Sequence, residues 1–266
     1  MSHCLFRLFR FLCIPLLAAV FFYPNDGVAR NTSTISLDGT EAGTTMAAFD
    51  PLANVRFSAP GGFLELSPDS PLFQQSAAEA VRHGRLLKLY LPRHLASQYR
   101  SGSPDSVTRQ VLICALENQP YPLHDKEKEQ LARSAEGFFV GFSRIPHSRT
   151  DTPAQAEENR ARSLNLSLEK GSPLLVDSMR TPSAYLHTCL IHFSMNSLQK
   201  SEKQERAWLP CALALAAVPV KDTMLFITAS SLLGQDSAES HLTWVKETAS
   251  SFADAITRAN APEKKK

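Results

Sequence analysis

The clearest pattern of apolar positions lies in the last third of the chain, residues 207–260. Residues 224–228 are rich in β-forming residues and predict one strand, and the apolar run before them predicts another. One face of that earlier run carries small side chains: Ala212, Ala214, Ala216 and Val218. Residues 219–222 between the runs predict a four-residue hairpin connection. Because alanine lets a helix approach closely, we expect both faces of this strand pair to be covered.

An amphipathic helix is predicted after the hairpin. Asp236, with Glu239 three residues later, can satisfy the free N–H groups of a helix start, so the helix should begin near Ser237. Asn260 and Pro262 supply a stop. Its apolar positions recur at spacings of three and four: Leu242, Val245, Ala249, Phe252 and Ile256. We expect this stripe to pack on the sheet.

Short apolar runs between turn residues predict further strands upstream. These runs are residues 55–58 and 63–66, joined as a small hairpin, and residues 85–91, 109–116, 174–177 and 185–195. Helices are predicted from Pro71 to Gly84 and after a cap at Asp125. A third helix is predicted across the polar stretch 144–172, from the capping box that begins at Thr152 to Gly171.

The order of these elements predicts an α+β fold. We expect a central, mainly antiparallel sheet flanked by helices, with the C-terminal amphipathic helix packed on the sheet. One domain is predicted over residues 55–260, with a polar helical insertion near residues 144–172. A flexible segment over residues 30–54 is expected before it, and a short basic tail over residues 261–266 after it.

The first 29 residues have the pattern of an export signal. Arg7 and Arg10 precede an apolar stretch, residues 11–22, and small residues stand before Arg30. The apolar stretch is short of the roughly 20 residues that cross a bilayer, so a retained anchor is the weaker alternative. We therefore expect cleavage before Arg30, a periplasmic or secreted bacterial protein, and no stable membrane insertion after cleavage.

Charge and composition then narrow the possible partners. Without Arg7, Arg10 and Asp26, the 28 basic and 26 acidic residues become 26 and 25, a net charge near +1. Proteins that bind nucleic acid usually carry a concentrated basic excess, so this charge argues against a nucleic-acid partner. The expected partner is an unknown protein or a small ligand.

Three cysteines remain after cleavage: Cys114, Cys189 and Cys211. An oxidising compartment permits a disulfide, but all three lie in apolar, strand-like runs where cysteine acts as a small buried hydrophobe. We interpret them as buried thiols. If a disulfide forms, the expected pair is Cys189 with Cys211, because both belong to the predicted C-terminal sheet.

The chain lacks the common motifs of nucleophilic, nucleotide-binding and zinc sites. The best local combination is His187, Cys189 and His192, in which strand alternation puts His187 and Cys189 on one face and His192 on the other. A soft-metal or nucleophilic site would need such a pair plus a third ligand or an orienting carboxylate, which the sequence does not place. The alternative interpretation is a buried thiol beside a partly exposed histidine.

Other candidate residues have ordinary structural explanations. His83 and the pair His124 and Asp125 stand at predicted helix ends, where histidine can bond free backbone groups. Trp208 and Trp244 could serve a binding surface, but tryptophans near a strand start or beside a helix stripe are more often core edges. No catalytic, cofactor-binding or metal-binding residue is assigned.

Several runs of this chain are similar to one family. They read Arg85-Leu86-Leu87-Lys88-Leu89-Tyr90-Leu91-Pro92, Met224-Leu225-Phe226-Ile227, Leu242-Thr243-Trp244-Val245 and Ala255-Ile256-Thr257-Arg258-Ala259-Asn260. Their order resembles the uncharacterised secreted bacterial proteins with a PsbP-like fold. The resemblance covers most of residues 55–260 and implies a central antiparallel sheet flanked by helices. It carries over no catalytic residue and no cofactor.

The sequence therefore predicts an exported, non-catalytic binding or scaffolding protein of the bacterial cell envelope. The alternative is a hydrolase or metal-dependent enzyme that uses the strand containing His187 and Cys189. Metal analysis of the purified protein, with and without Cys189→Ala, separates the two hypotheses. The binding or scaffolding hypothesis predicts no stoichiometric metal.

Overall fold

The computed structural model describes residues 52–80, 84–95, 108–116, 122–146, 148, 150–195, 207–234 and 236–262. The expected export signal lies outside the described residues, as do residues 30–51 of the expected flexible segment and residues 263–266 of the expected basic tail. The described chain forms an α+β structure with one eight-stranded sheet flanked by helices. The fold class predicted from the sequence is confirmed.

The strands and helices have the following bounds. The strands are β1 (Phe63–Glu65), β2 (Arg85–Pro92), β3 (Arg109–Ala115), β4 (Ser143–Arg144), β5 (Leu174–Arg180), β6 (Tyr185–Met195), β7 (Ala207–Val220) and β8 (Thr223–Leu232). The helices are α1 (Pro71–Ala80), α2 (Asp125–Gly137), α3 (Pro153–Lys170) and α4 (Ala238–Ala259), with a 3-10 turn Phe138–Gly141 after α2. The order across the sheet is β1-β2-β3-β8-β7-β6-β5-β4, and every neighbouring pair is antiparallel except β4 with β5.

Both faces of the sheet are covered, as the alanine-rich strand predicts. We call them the α4 face and the α2 face. On the α4 face, the small residues of β7 lie under Val245, Ala249 and Phe252 of α4, all fully buried. On the α2 face, α1 and α2 contribute Leu72 and Ala135 to the second core cluster. Because successive side chains of a strand point to opposite faces, the sheet contributes to two separate apolar layers.

The C-terminal helix begins and ends as its sequence predicts. Ser237 is the N-cap, and its side chain accepts a hydrogen bond from the Ser240 N–H at 3.2 Å. At the other end, Asn260 caps the helix and also pairs with the backbone of Arg56 in both directions, at 2.9 and 2.7 Å. Asn260 thus joins the last helix to the first described segment.

Two turn predictions near the strands are wrong. The β7–β8 connection has two residues, not four, because Val220 pairs with Thr223 and only Lys221 and Asp222 form the turn. Pro219 has no N–H to donate, yet it can remain in β7. It lies beyond Ala217, the last β7 residue that pairs with β6, so no residue of β6 needs a hydrogen bond from it. Residues 55–58 form no strand, and β1 pairs with β2 instead.

The helix predicted from Pro71 to Gly84 is described as far as Ala80, since residues 81–83 lie outside the described part of the chain. Gly84 itself precedes β2 and has a steric role there. A Cβ on Gly84 would stand 2.6 Å from the carbonyl oxygen of Ala115, closer than real contacts allow. Glycine therefore lets the start of β2 lie against the end of β3.

The polar stretch 144–172 connects the last two strands of the sheet. β4, α3 and β5 follow one another in the chain, and β4 and β5 are parallel neighbours, so α3 is the crossover helix of a β–α–β unit. Thr152 and Gln155 form the predicted capping box, and Gly171 ends the helix in the left-handed region at φ 61°. Leu164 anchors α3 to the core of the α4 face.

Among the helices that the structure describes, none has the length and apolar character needed to cross a membrane.

Candidate functional site

A concave site lies on the α4 face, where α4 passes over β5 and β6. It is a groove of about 720 Å³. The lining residues come from α3, β5, the β5–β6 turn, β6 and α4: Arg160, Val176, Asp177, Met179, Thr181, Leu186, Thr188, Leu242, Thr243, Lys246, Glu247, Ser250 and Ser251. This volume falls within the roughly 300–1,000 Å³ of small-molecule sites.

A bulge in β5 places one of the charged groups at the groove. The register with β6 shifts between Leu175 and Asp177, so Val176 and Asp177 both point to the α4 face although they are consecutive. Asp177 then reaches Lys246 of α4, and the two form an ion pair at the rim. Without the extra residue, strand alternation would turn Asp177 to the opposite face.

A second ion pair holds the far side of the groove. Arg160 of α3 donates from Nε and Nη2 to the two carboxylate oxygens of Glu239, at 2.6 and 2.9 Å. The hydrogen bonds to Glu239 raise the pKa of the Arg160 guanidinium, and burial opposes them. Such two-pronged pairs fix direction as well as distance. The pair therefore sets the position of α3 relative to the first turn of α4.

The floor of the groove is aliphatic, with one polar exception. Val176, Leu186 and Leu242 are buried there and supply apolar contact. Thr188 also lines the groove and is 2% exposed, yet its Oγ1 finds no hydrogen-bond partner among the described residues. A buried hydroxyl without a partner costs about 1–3 kcal/mol, so Thr188 is an unsatisfied hydrogen-bonding group at the floor of the groove.

The two residues that the enzyme alternative would use, His187 and Cys189, lie on the other face of the sheet. Strand β6 directs His187 and Cys189 to the α2 face and His192 to the α4 face, as the alternation predicts. His187 is 3% exposed and Cys189 is fully buried. Neither side chain reaches solvent or the groove, which opposes a role in attacking a substrate.

The contacts of His187 are those of a core residue. Its Nδ1 lies 2.9 Å from the Ser178 hydroxyl, and its ring packs against Phe139 with centroids 4.9 Å apart. Burial lowers the pKa of His187, and Glu136, Arg144 and Asp177 act on it more weakly, in both directions. In the part of the chain that the structure describes, no group of three or more His, Cys, Asp or Glu side chains could hold a metal ion.

One serine and histidine pair with catalytic residue types occurs elsewhere, between β8 and α4. Ser231 Oγ lies 2.7 Å from His241 Nδ1, and His241 Nε2 accepts the Gly234 N–H at 3.5 Å. When Nε2 accepts from Gly234, the neutral ring carries its proton on Nδ1 and donates it to Ser231. Arg109 Nε also donates to Ser231 Oγ at 3.2 Å, and Ser231 is fully buried. The pair joins β8 to α4 and is not a nucleophilic site.

The remaining candidates have structural roles where they are described. The His124 carbonyl accepts from Lys128 N–H at 3.0 Å, so His124 rather than Asp125 caps α2, and the helix begins at Asp125, one residue earlier than expected. Trp244 packs near Phe63, and the Arg109 guanidinium lies 5.0 Å from its ring centre. His83 and the Trp208 side chain lie outside the described residues.

The three cysteines are buried thiols, all in the core of the α2 face. Burial raises the pKa of the Cys114 thiol to about 12, which keeps it protonated and unreactive at neutral pH. Cys211 pairs in register with Ile191, two residues beyond Cys189 on β6. The structure thus agrees with the interpretation of buried thiols and contains no bond between Cys189 and Cys211.

The groove is not predicted by the sequence. Arg160, Asp177, Thr188 and Lys246 come from four separate elements, and the short β5 predicted at residues 174–177 ends before Met179. A Val followed by an Asp is what plain strand alternation gives, so the bulge that puts both Val176 and Asp177 on the α4 face is visible only in the register of β5 with β6.

Comparison of the chain with protein-family models, with curated proteins and with solved structures found no match.

Proposed function

We propose that the protein is an exported, non-catalytic binding protein of the bacterial cell envelope, and that it holds its ligand in the groove between α4 and β5. The observation that carries this proposal is the unpartnered Thr188 hydroxyl on an otherwise aliphatic floor. A few fixed polar groups in an apolar cavity are typical of ligand sites. The export assignment comes from the pattern of the first 29 residues.

The charges at the rim support binding rather than chemistry. Arg160 and Lys246 are already paired with Glu239 and Asp177, which fixes their positions and leaves neither as an isolated base or acid. The hydrolase or metal-enzyme alternative would use His187 and Cys189, and both are enclosed in the opposite core. No contact among the described residues favours that alternative.

Native mass spectrometry of the exported protein tests the proposal. The protein, produced from the full chain in a bacterium and purified without denaturation, should carry a bound small molecule or peptide that is released on denaturation. Ser250→Trp fills the groove and should abolish this species. Lys126→Trp places the same side chain on the exposed start of α2 and should retain it.

Two results would contradict the proposal. A wild-type protein that carries no bound species leaves the groove without a ligand in its own compartment. A species retained equally by wild type, Ser250→Trp and Lys126→Trp binds somewhere other than the groove.

A further inference from the structure

The outer edge of β5 is open for most of its length. β4 pairs with Leu174 and Leu175 only, so among the described residues no strand lies outside the segment from Asp177 to Arg180. On its inner side the same segment pairs with β6 as far as Arg180 with Tyr185. The segment is therefore held extended by one neighbour while its other edge faces outward.

The main-chain groups on this edge have the spacing that an added strand uses. In an antiparallel pair, hydrogen-bonded and non-hydrogen-bonded residue pairs alternate. Thr181 N–H donates to the Ala184 carbonyl at 2.8 Å, so the next pair, Arg180 with Tyr185, is not hydrogen-bonded. By the same alternation, Arg180 and Ser178 direct their N–H and C=O groups away from β6, toward the open edge.

The side chains along the edge differ between the two faces. Met179 points to the α4 face, lines the groove and is 40% exposed, although it is a large apolar residue. Arg144 of β4 and Arg180 of β5 both lie on the α2 face, and neither has a carboxylate partner within the described residues. Arg180 stacks instead over the Tyr185 ring at 4.8 Å. The edge thus offers one apolar contact on one face and two unpaired cations on the other.

We propose that this edge binds an extended peptide by strand addition, and that the peptide alternates acidic and apolar residues. This inference rests on the proposed binding function and names its partner. The peptide's main chain bonds to Ser178 and Arg180, as in other complexes of this kind. Its apolar side chain enters the groove beside Met179, and its acidic side chains on the opposite face meet Arg144 and Arg180.

A second copy of the chain fits the edge less well. Antiparallel pairing of two β5 edges keeps equivalent faces on the same side, so it would gather Arg144 and Arg180 of both copies on one face. Like charges at close range across a strand pair are destabilising. An acidic peptide places opposite charges at the same positions.

Fluorescence anisotropy of a labelled heptapeptide tests this inference on the exported protein. The probe carries three glutamates that alternate with valine and leucine. Two isomers, backbone-methylated at the glutamates or at the apolar residues, serve as matched controls, because only every second N–H of an added strand faces β5. We expect the unmodified probe to bind, one isomer to lose binding, and the other to keep it. Loss with methylated glutamates indicates an antiparallel peptide.

A charge reversal tests the contact with the edge. Arg180→Glu should weaken binding of the glutamate probe about tenfold, as expected for the loss of a charged hydrogen-bonded contact, and should permit binding of a probe with lysine in place of glutamate. Lys126→Glu makes a similar change on exposed α2 and should leave both affinities unchanged.

The inference is overturned if the probe does not bind, or if both methylated isomers bind as well as the parent. Sedimentation velocity tests whether a second copy of the chain binds the edge instead. A dimer that is weakened or strengthened by Arg180→Glu, together with no peptide binding, would assign the edge to a second copy. A native ligand lost in Ser250→Trp while the peptide fails to bind would leave the proposed function standing and overturn the inference alone.

Discussion

Buried polar groups without a hydrogen-bond partner lower the stability of this fold. Thr188 and Thr228 are each 2% exposed, and the Oγ1 atom of each lacks a hydrogen-bond partner among the described residues. Thr228 pairs with Leu112 and Leu215 in the middle of the sheet, whereas Thr188 lines the groove. The same chemical defect therefore occurs once in the core and once at the candidate site.

Replacing either hydroxyl by a methyl group should stabilise the protein. Thr188→Val and Thr228→Val each remove a buried, unpaired hydroxyl at nearly constant volume, so we expect the free energy of unfolding to rise by about 1 kcal/mol in both. Only Thr188→Val should reduce the ligand occupancy seen by native mass spectrometry. Equal occupancy in the two variants would remove Thr188 from the binding site.

Buried histidines make stability depend on pH. Burial lowers the pKa of His187, His192 and His241 below the usual 6.5. Below about pH 6.5 the unfolded chain takes up protons that the folded chain refuses, so stability is full above that pH and falls as the pH drops toward the folded values. We expect urea midpoints to decrease from about pH 7.5 to about pH 5. His187→Gln should make the decrease shallower, and the exposed His124→Gln should not.

At the level of elements, the sequence predicts the features that are determined by neighbouring residues. Helix α4, the capping box of α3 and strand β6 follow from periodicity and caps within a few residues. The length of the hairpin turn is not predicted correctly because Lys221 adopts a left-handed φ of 48°, a conformation more typical of glycine or asparagine. The partner of β1 and the groove depend on contacts between distant residues, such as Asp177 with Lys246, which no local pattern encodes.

The packing of α4 gives the element its own test. Phe252 is fully buried, and its ring lies 4.9 Å from Phe63 and 5.0 Å from Tyr90. Phe252→Ala should lower the free energy of unfolding by about 3–5 kcal/mol, measured by chemical denaturation. Ser251→Ala, on the exposed side, should change it by less than about 0.5 kcal/mol. Thr257 lies outside the apolar stripe of α4, but it is unsuitable as a control because its Oγ1 atom is buried. Equal effects of the first two variants would contradict this packing.

For the whole molecule, the described residues form one continuous sheet rather than two halves. The β–α–β unit of β4, α3 and β5 extends the sheet at its edge, and α3 is tied back to α4 through Arg160 and Glu239. Asn260 and Arg56 link the last helix to the first described segment. The groove and the open edge of β5 both lie where this unit meets α4, so the site depends on the complete sheet.

The proposed location of the protein is decided at its N-terminus. The basic start, the apolar stretch of residues 11–22 and the small residues before Arg30 predict that export removes the first 29 residues. Intact-mass spectrometry of the protein recovered from the periplasmic fraction should therefore give a chain that begins at Arg30. Ala29→Lys places a long charged side chain where the cleavage site requires a small one, and it should cause the precursor to accumulate with the membranes. A mature chain that still contained residues 11–22, or a full-length chain confined to the cytoplasm, would contradict the export assignment while leaving the groove and its ligand to their own tests.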